Sequence, residues 1–204
     1  DVAVTGVQTC ALPIFETVPA EVPYLRAESE KVAYWRAKLG PRTRPRVGLV
    51  WSGGVRQDHP ELRPINERRN VAFAAIAGLN VAGVDFYSLQ KGEPAESEAL
   101  SLRGKVWKGD NFHNFADELR DFADTAALME NLDLIVSVDK STAQLAGALA
   151  KPVWILNRFD NCWRWLSPRT DSPWYPTARL FNQATFGDWS GVLDEVRHEL
   201  EKLR

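Results

Sequence analysis

The stretch IVSVDKSTAQLAGALAKPVWIL, residues 135–156, changes character twice: an apolar run stops at Asp-Lys-Ser-Thr, a small-residue segment follows, and a proline opens a second apolar run. The first run is continuous rather than alternating, the pattern of a strand covered on both faces. Ser141 and Thr142 stand where a helix can begin, and the alanines and glycine of STAQLAGALA let that helix lie close to a sheet. Pro152 then starts the strand PVWIL.

The same alternation runs through the chain. RVGLVWSGG is an apolar strand at 47–51 delivered into Ser-Gly-Gly, and the polar excursion at 55–70 is too long for a minimal strand-to-helix turn. Residues 71–79 can pack as a short helix, VDFYSLQ reads as a second strand, and a weaker strand is expected at 104–108. Residues 114–132 supply one or two helical segments, with Asp124 or Thr125 capping the second. A further strand is expected at 178–182, and DWSGVLDEVRHELEKL closes the chain as an amphipathic helix. Upstream, Val32, Trp35 and Leu39 share one face of a helix that Gly40 stops. Strands alternating with helices predict a single α/β, Rossmann-like, three-layer domain with a mostly parallel sheet over 45–204, preceded by a connector and helix at 15–44. The dinucleotide fingerprint G-x-G-x-x-G is absent.

With 204 residues, 45% hydrophobic and 25% charged, the chain has ample material for one core. A formal charge of -2 gives no general reason to expect nucleic acid, while leaving room for a local basic pocket that binds phosphate. No apolar run approaches the roughly 20 residues of a transmembrane segment, and the composition fits a cytoplasmic protein. Cys10 and Cys162 form neither a disulfide scaffold nor, with His59, His113 and His198, a metal-ligand cluster, so no metal is expected. The eight tryptophans are expected mainly in packing. Residues 4–14, VTGVQTCALPI, resemble a translated sequencing adapter, which makes 1–14 a non-native segment; the other reading is a short strand ending at Pro13.

Ligands of open α/β sheets collect beyond the carboxyl ends of the strands. Three loops there carry chemistry. In WSGG, Ser52 adds a hydroxyl while Gly53 and Gly54 permit close backbone approach to an anion, or simply make a tight strand exit. In SVDKST, a helix start favours phosphate, and Lys140, Ser141 and Thr142 reinforce that preference. Asp139 either accepts a hydrogen bond from a sugar hydroxyl or holds the loop, Asp139 or Ser141 can cap the helix, and Gln144 turns to a ligand or to solvent. In SLQKGE, Gln90 is placed to read a base or ribose and Lys91 to meet a phosphate, unless both serve the surface. Arg68 and Arg69 either approach the phosphates or make surface ion pairs, and Arg164 and Arg169 brace the C-terminal lobe. The catalytic residue is unknown: no Ser/His/Asp set stands out.

RVGLVWSGG, FYSLQKGE, DFADTAALMENLDLIVSVDKSTAQLAGALAKPVWIL, RWLSPRTDSPWYPTARLF and GDWSGVL together resemble the C-terminal half of bacterial tetratricopeptide-repeat-associated glycosyltransferases, akin to heptosyltransferases and O-linked N-acetylglucosamine transferases. The resemblance spans 15–204. It implies the C-terminal half of a GT-B fold, the Rossmann-like domain that binds a nucleotide-sugar donor, with WSGG and VDKSTAQLAGAL as its donor loops and no other cofactor. Where the family pattern runs Val-Asp-Thr-Ser-x-Ala-His-Leu, Lys140 replaces Thr and Gln144 replaces His. The resemblance also implies that an N-terminal acceptor domain and the repeats belong to a longer parent. The parent would then transfer a sugar, while the isolated fragment would be inactive. A non-catalytic nucleotide-sensing or scaffold domain is the alternative. Deleting residues 1–14 is expected to leave the thermal midpoint nearly unchanged; a large loss of stability would reject the adapter reading.

Overall fold

The computed structural model describes residues 20–54 and 59–203. The adapter-like segment 1–14 and the start of the connector lie outside the described residues. Among those described, helix α1 (Ser29–Leu39) precedes strand β1 (Arg46–Val50); α2 (Arg63–Arg69), the one-turn α3 (Phe73–Ile76) and β2 (Asp85–Ser88) follow. Next come α4 (Ala95–Val106), β3 (Phe112–Asn114), α5 (Phe122–Glu130), β4 (Leu134–Val138) and α6 (Ser141–Ala148). Strands β5 (Val153–Asn157) and β6 (Ala178–Asn182) lead to the last helix, α7 (Ser190–Glu201).

The six strands form one sheet in the order β3-β2-β1-β4-β5-β6, and all five pairings are parallel. Every residue of β1 and β4 is buried, as their continuous apolar runs require. Alternate side chains feed two cores. Val47, Leu49 and Trp51 enter one core with Phe73 of α3, Ala99 of α4 and Val196 of α7; Val50 and Ile135 enter the other with Trp35 of α1, Leu128 of α5 and Ala146 of α6. The result is three layers, helix over sheet over helix. Of the tryptophans, Trp35, Trp51, Trp107 and Trp165 are buried, whereas Trp163 is exposed.

Two expectations need correction. The weak strand at 104–108 does not form; α4 runs to Val106 instead, because Ala95, Ala99, Leu102 and Val106 recur at helical spacing and face the core. Glu96 and Glu98 in its first turn and Arg103 and Lys105 in its last match the helix dipole, and the third strand comes later, at β3. The cap of α5 is Asp121, whose carboxylate accepts the Asp124 N–H at 2.8 Å. Asp124 is drawn off to Lys31 at 2.8 Å, and the Thr125 hydroxyl donates to the Asp121 carbonyl.

Gly147 lets α6 approach closely. A Cβ at this position would collide with the Tyr175 ring, which is packed in the second core. Gly147→Ala is expected to destabilise the domain by about 1–3 kcal/mol, as overpacking does, read as a lower denaturation midpoint.

Candidate functional site

The chain passes from β1 outward to β2 and β3, then crosses back to lay β4 on the other side of β1. Loops leaving β1 and β4 therefore diverge and open a crevice at the carboxyl ends of these two strands, where open α/β sheets hold ligands. Both WSGG and the Asp139–Lys140 turn lie at this switch point.

Gln90 knits the first wall. At 1% exposure, its side-chain carbonyl accepts the N–H groups of Trp51 (3.2 Å) and Ser52 (3.0 Å), while its amide donates to the carbonyls of Ser52 (3.0 Å) and Lys91 (2.9 Å). The side chain is committed to joining the β1 and β2 loops. Gly53 donates its N–H to Asn70 Oδ1 at 2.7 Å, and the Arg69 guanidinium packs where a Gly53 Cβ would stand, so this position admits only glycine without rearrangement. The Ser52 hydroxyl donates to the Gly53 carbonyl at 3.1 Å, and Gly54 is exposed.

The second wall is the start of α6. Lys140 takes the N-cap position in extended conformation, its side chain makes no cap hydrogen bond, and among the described residues neither Asp139 nor Ser141 caps the helix. Ala143 and Gln144 return their N–H groups to the Lys140 carbonyl, whereas those of Ser141 and Thr142 have no partner among the described residues. Asp139, 8% exposed, faces the Arg164 guanidinium at 3.8 Å. Gln144 Nε2 is buried and without a partner among the described residues.

Lys140 spans the crevice. Its ammonium donates to the Ser52 carbonyl at 2.9 Å and the Lys91 carbonyl at 3.4 Å. Burial, reinforced by the nearby Arg69 charge and partly opposed by Glu96, pushes its pKa from the ordinary 10.5 down to about 8. Beside it opens a cleft of about 340 Å³ with three cations, Lys91, Arg120 and Lys140, the hydroxyls of Ser141 and Thr142, and an apolar side formed by Leu89, Leu119 and Phe122. Lys91 itself bonds Glu96 at 3.2 Å and the Ala116 carbonyl at 2.8 Å.

The fold thus gathers Ser52, Gly53, Gln90, Lys91, Asp139, Lys140, Ser141 and Thr142 at one end of the sheet. Arg69 borders this group, but Arg68 turns away, pairing with Asp160 at 2.9 Å and lying over the Phe186 ring. Sequence reasoning missed Arg120 and Phe122, which reach the cleft because Asp121 starts α5 between them. An aspartate three residues ahead of the expected cap was the available signal.

Lys140 makes a testable contribution to pH dependence. Between about pH 8 and 10.5 the unfolded chain holds a proton that the folded domain has shed, so stability rises with pH across that window. The thermal midpoint of the native chain is expected to gain on that of Lys140→Met as pH climbs from 8 to 10; parallel curves would contradict the buried-ammonium assignment.

No protein-family model matches the chain. Protein FlbA of Caulobacter vibrioides is 29% identical over 195 residues, which cover 90% of this chain but 30% of that protein. Among solved structures, the E. coli ADP-heptose lipopolysaccharide heptosyltransferase II aligns with a TM-score of 0.57 at 20% identity over 92% of this chain, and a family 9 glycosyl transferase from Veillonella parvula with 0.60 at 13% over 98%. The chain spans 56% and 57% of those two structures. Its six-stranded parallel domain has the Rossmann-like fold of one half of a GT-B glycosyltransferase.

Proposed function

We propose that this chain is the nucleotide-sugar donor-binding part of a glycosyltransferase whose parent transfers a sugar to an acceptor held by a further domain. The observation that carries the reading is the convergence of the 51–54 loop and the uncapped start of α6 at the switch point of a heptosyltransferase-like sheet. Two helix N–H groups without a partner among the described residues, a lysine and two hydroxyls suit a diphosphate, and the apolar side of the cleft suits a base. The relative that transfers from ADP-heptose supports a nucleoside diphosphate leaving group, stabilised here by fixed amides and cations. We extend the proposal to tetratricopeptide repeats in the parent, a cytoplasmic location, an N-terminal acceptor domain and no catalysis by this segment alone. Among the described residues, no helix is long and apolar enough to cross a membrane.

One observation favours a second reading, a non-catalytic nucleotide-sensing or scaffold domain: the buried Gln144 amide cannot supply the positive charge of a histidine. Calorimetric titration with ADP, GDP, UDP and their sugar conjugates tests the first reading. Saturable binding is expected, and Gln144→His should preserve or strengthen it, most of all below pH ~6.5 where imidazolium adds charge. Absence of binding by the folded chain would leave the scaffold reading standing.

A further inference from the structure

Among the described residues, Lys140 is an ammonium with no carboxylate bonded to it. Among the described residues no acidic group lies within ion-pair distance of it, and its two hydrogen bonds there go to neutral backbone carbonyls. A half-buried ammonium satisfied only by carbonyl dipoles has lost part of its hydration without gaining a full counter-charge. Gln90 holds the same two loops independently, through Ser52 and Lys91, so the loops keep their places if the lysine lets go. The charges around it fit a polyanion: Arg69 from α2, Lys91 from the β2 loop and Arg120 before α5 are opposed by Glu96 of α4, itself bonded to Lys91, and Asp121, which caps α5. Asp139, its neighbour in the chain, faces Arg164.

Building on the nucleotide-sugar reading, we propose that Lys140 is a displaceable clasp: in the empty domain its ammonium ties the β1 and β2 loops through the Ser52 and Lys91 carbonyls, and an arriving diphosphate takes that ammonium over. Anion binding and release of the clasp are then one event. A residue that replaces the family's threonine thereby makes donor affinity depend on the protonation of the protein.

Side-chain nitrogen NMR of the full chain reads the clasp directly. Without ligand, the Lys140 Nζ signal is expected to titrate near pH 8, and saturating ADP, CDP, GDP or UDP should move that midpoint upward. By calorimetry, the dissociation constant of the native chain should weaken about tenfold from pH 7 to 9, because one pH unit above the midpoint leaves about a tenth of the lysine charged. Lys140→Met should bind more weakly with a flat profile, and Lys140→Arg, always charged, should bind with a flat profile and retained affinity. A native profile as flat as that of Lys140→Met overturns the clasp while leaving nucleotide binding intact. If no nucleoside diphosphate binds, the nucleotide reading falls, and inorganic pyrophosphate at pH 7 decides the clasp: a shifted Lys140 signal supports it, and an unmoved one overturns it.

Discussion

Burying a parallel sheet on both faces is the constraint from which the rest follows. Strands β1 and β4 are fully buried side by side, so each must be covered by helices on both sides, and each crossover must carry the chain over one face or the other. Covering both faces requires the strand order to reverse, here between β1 and β4. At that reversal the outgoing loops part, and the domain acquires a crevice without any residue having been placed there to make one.

What fills the walls of the crevice is then decided by hydrogen-bond demand. Loops leaving buried strands carry backbone groups that no ladder satisfies. Gln90 meets four such needs with one side chain, which is why an amide sits almost wholly buried at the end of β2. Lys140 meets carbonyls of the same loops from the opposite wall, but as a charge partly removed from water. The two residues do similar structural work with different electrostatic consequences: the amide is content with dipoles, whereas the ammonium remains a site of unspent positive potential.

Helix ends complete the picture. Asp121 caps α5 in the ordinary way, while α6 begins with a lysine and, among the described residues, has no side-chain cap. Leaving α6 uncapped is costly for an isolated helix. It is sustained here by packing, with Ala143 and Ala146 against the sheet and Gly147 under Tyr175. Tertiary contacts thus hold open a helix start that local chemistry would otherwise close, and the donor-binding reading rests on that difference.

The buried strands, their alternation with helices, the last strand at 178–182 and the helix start at Ser141 were legible in the sequence, because apolar continuity and helix-start residues act over a few neighbours. The third strand was not: residues 104–108 read as strand, whereas the contacts of Ala95 and Ala99 with the sheet carry α4 on to Val106. The site was legible as a set of loops but not as a set of roles. That Gln90 is spent on backbone, that Arg68 faces Asp160 and that Lys140 points inward depend on partners 38, 92 and 88 residues away in the chain. A sequence determines which residues arrive at the strand ends; only the reversal of strand order, by bringing β1 beside β4, decides which of them meet.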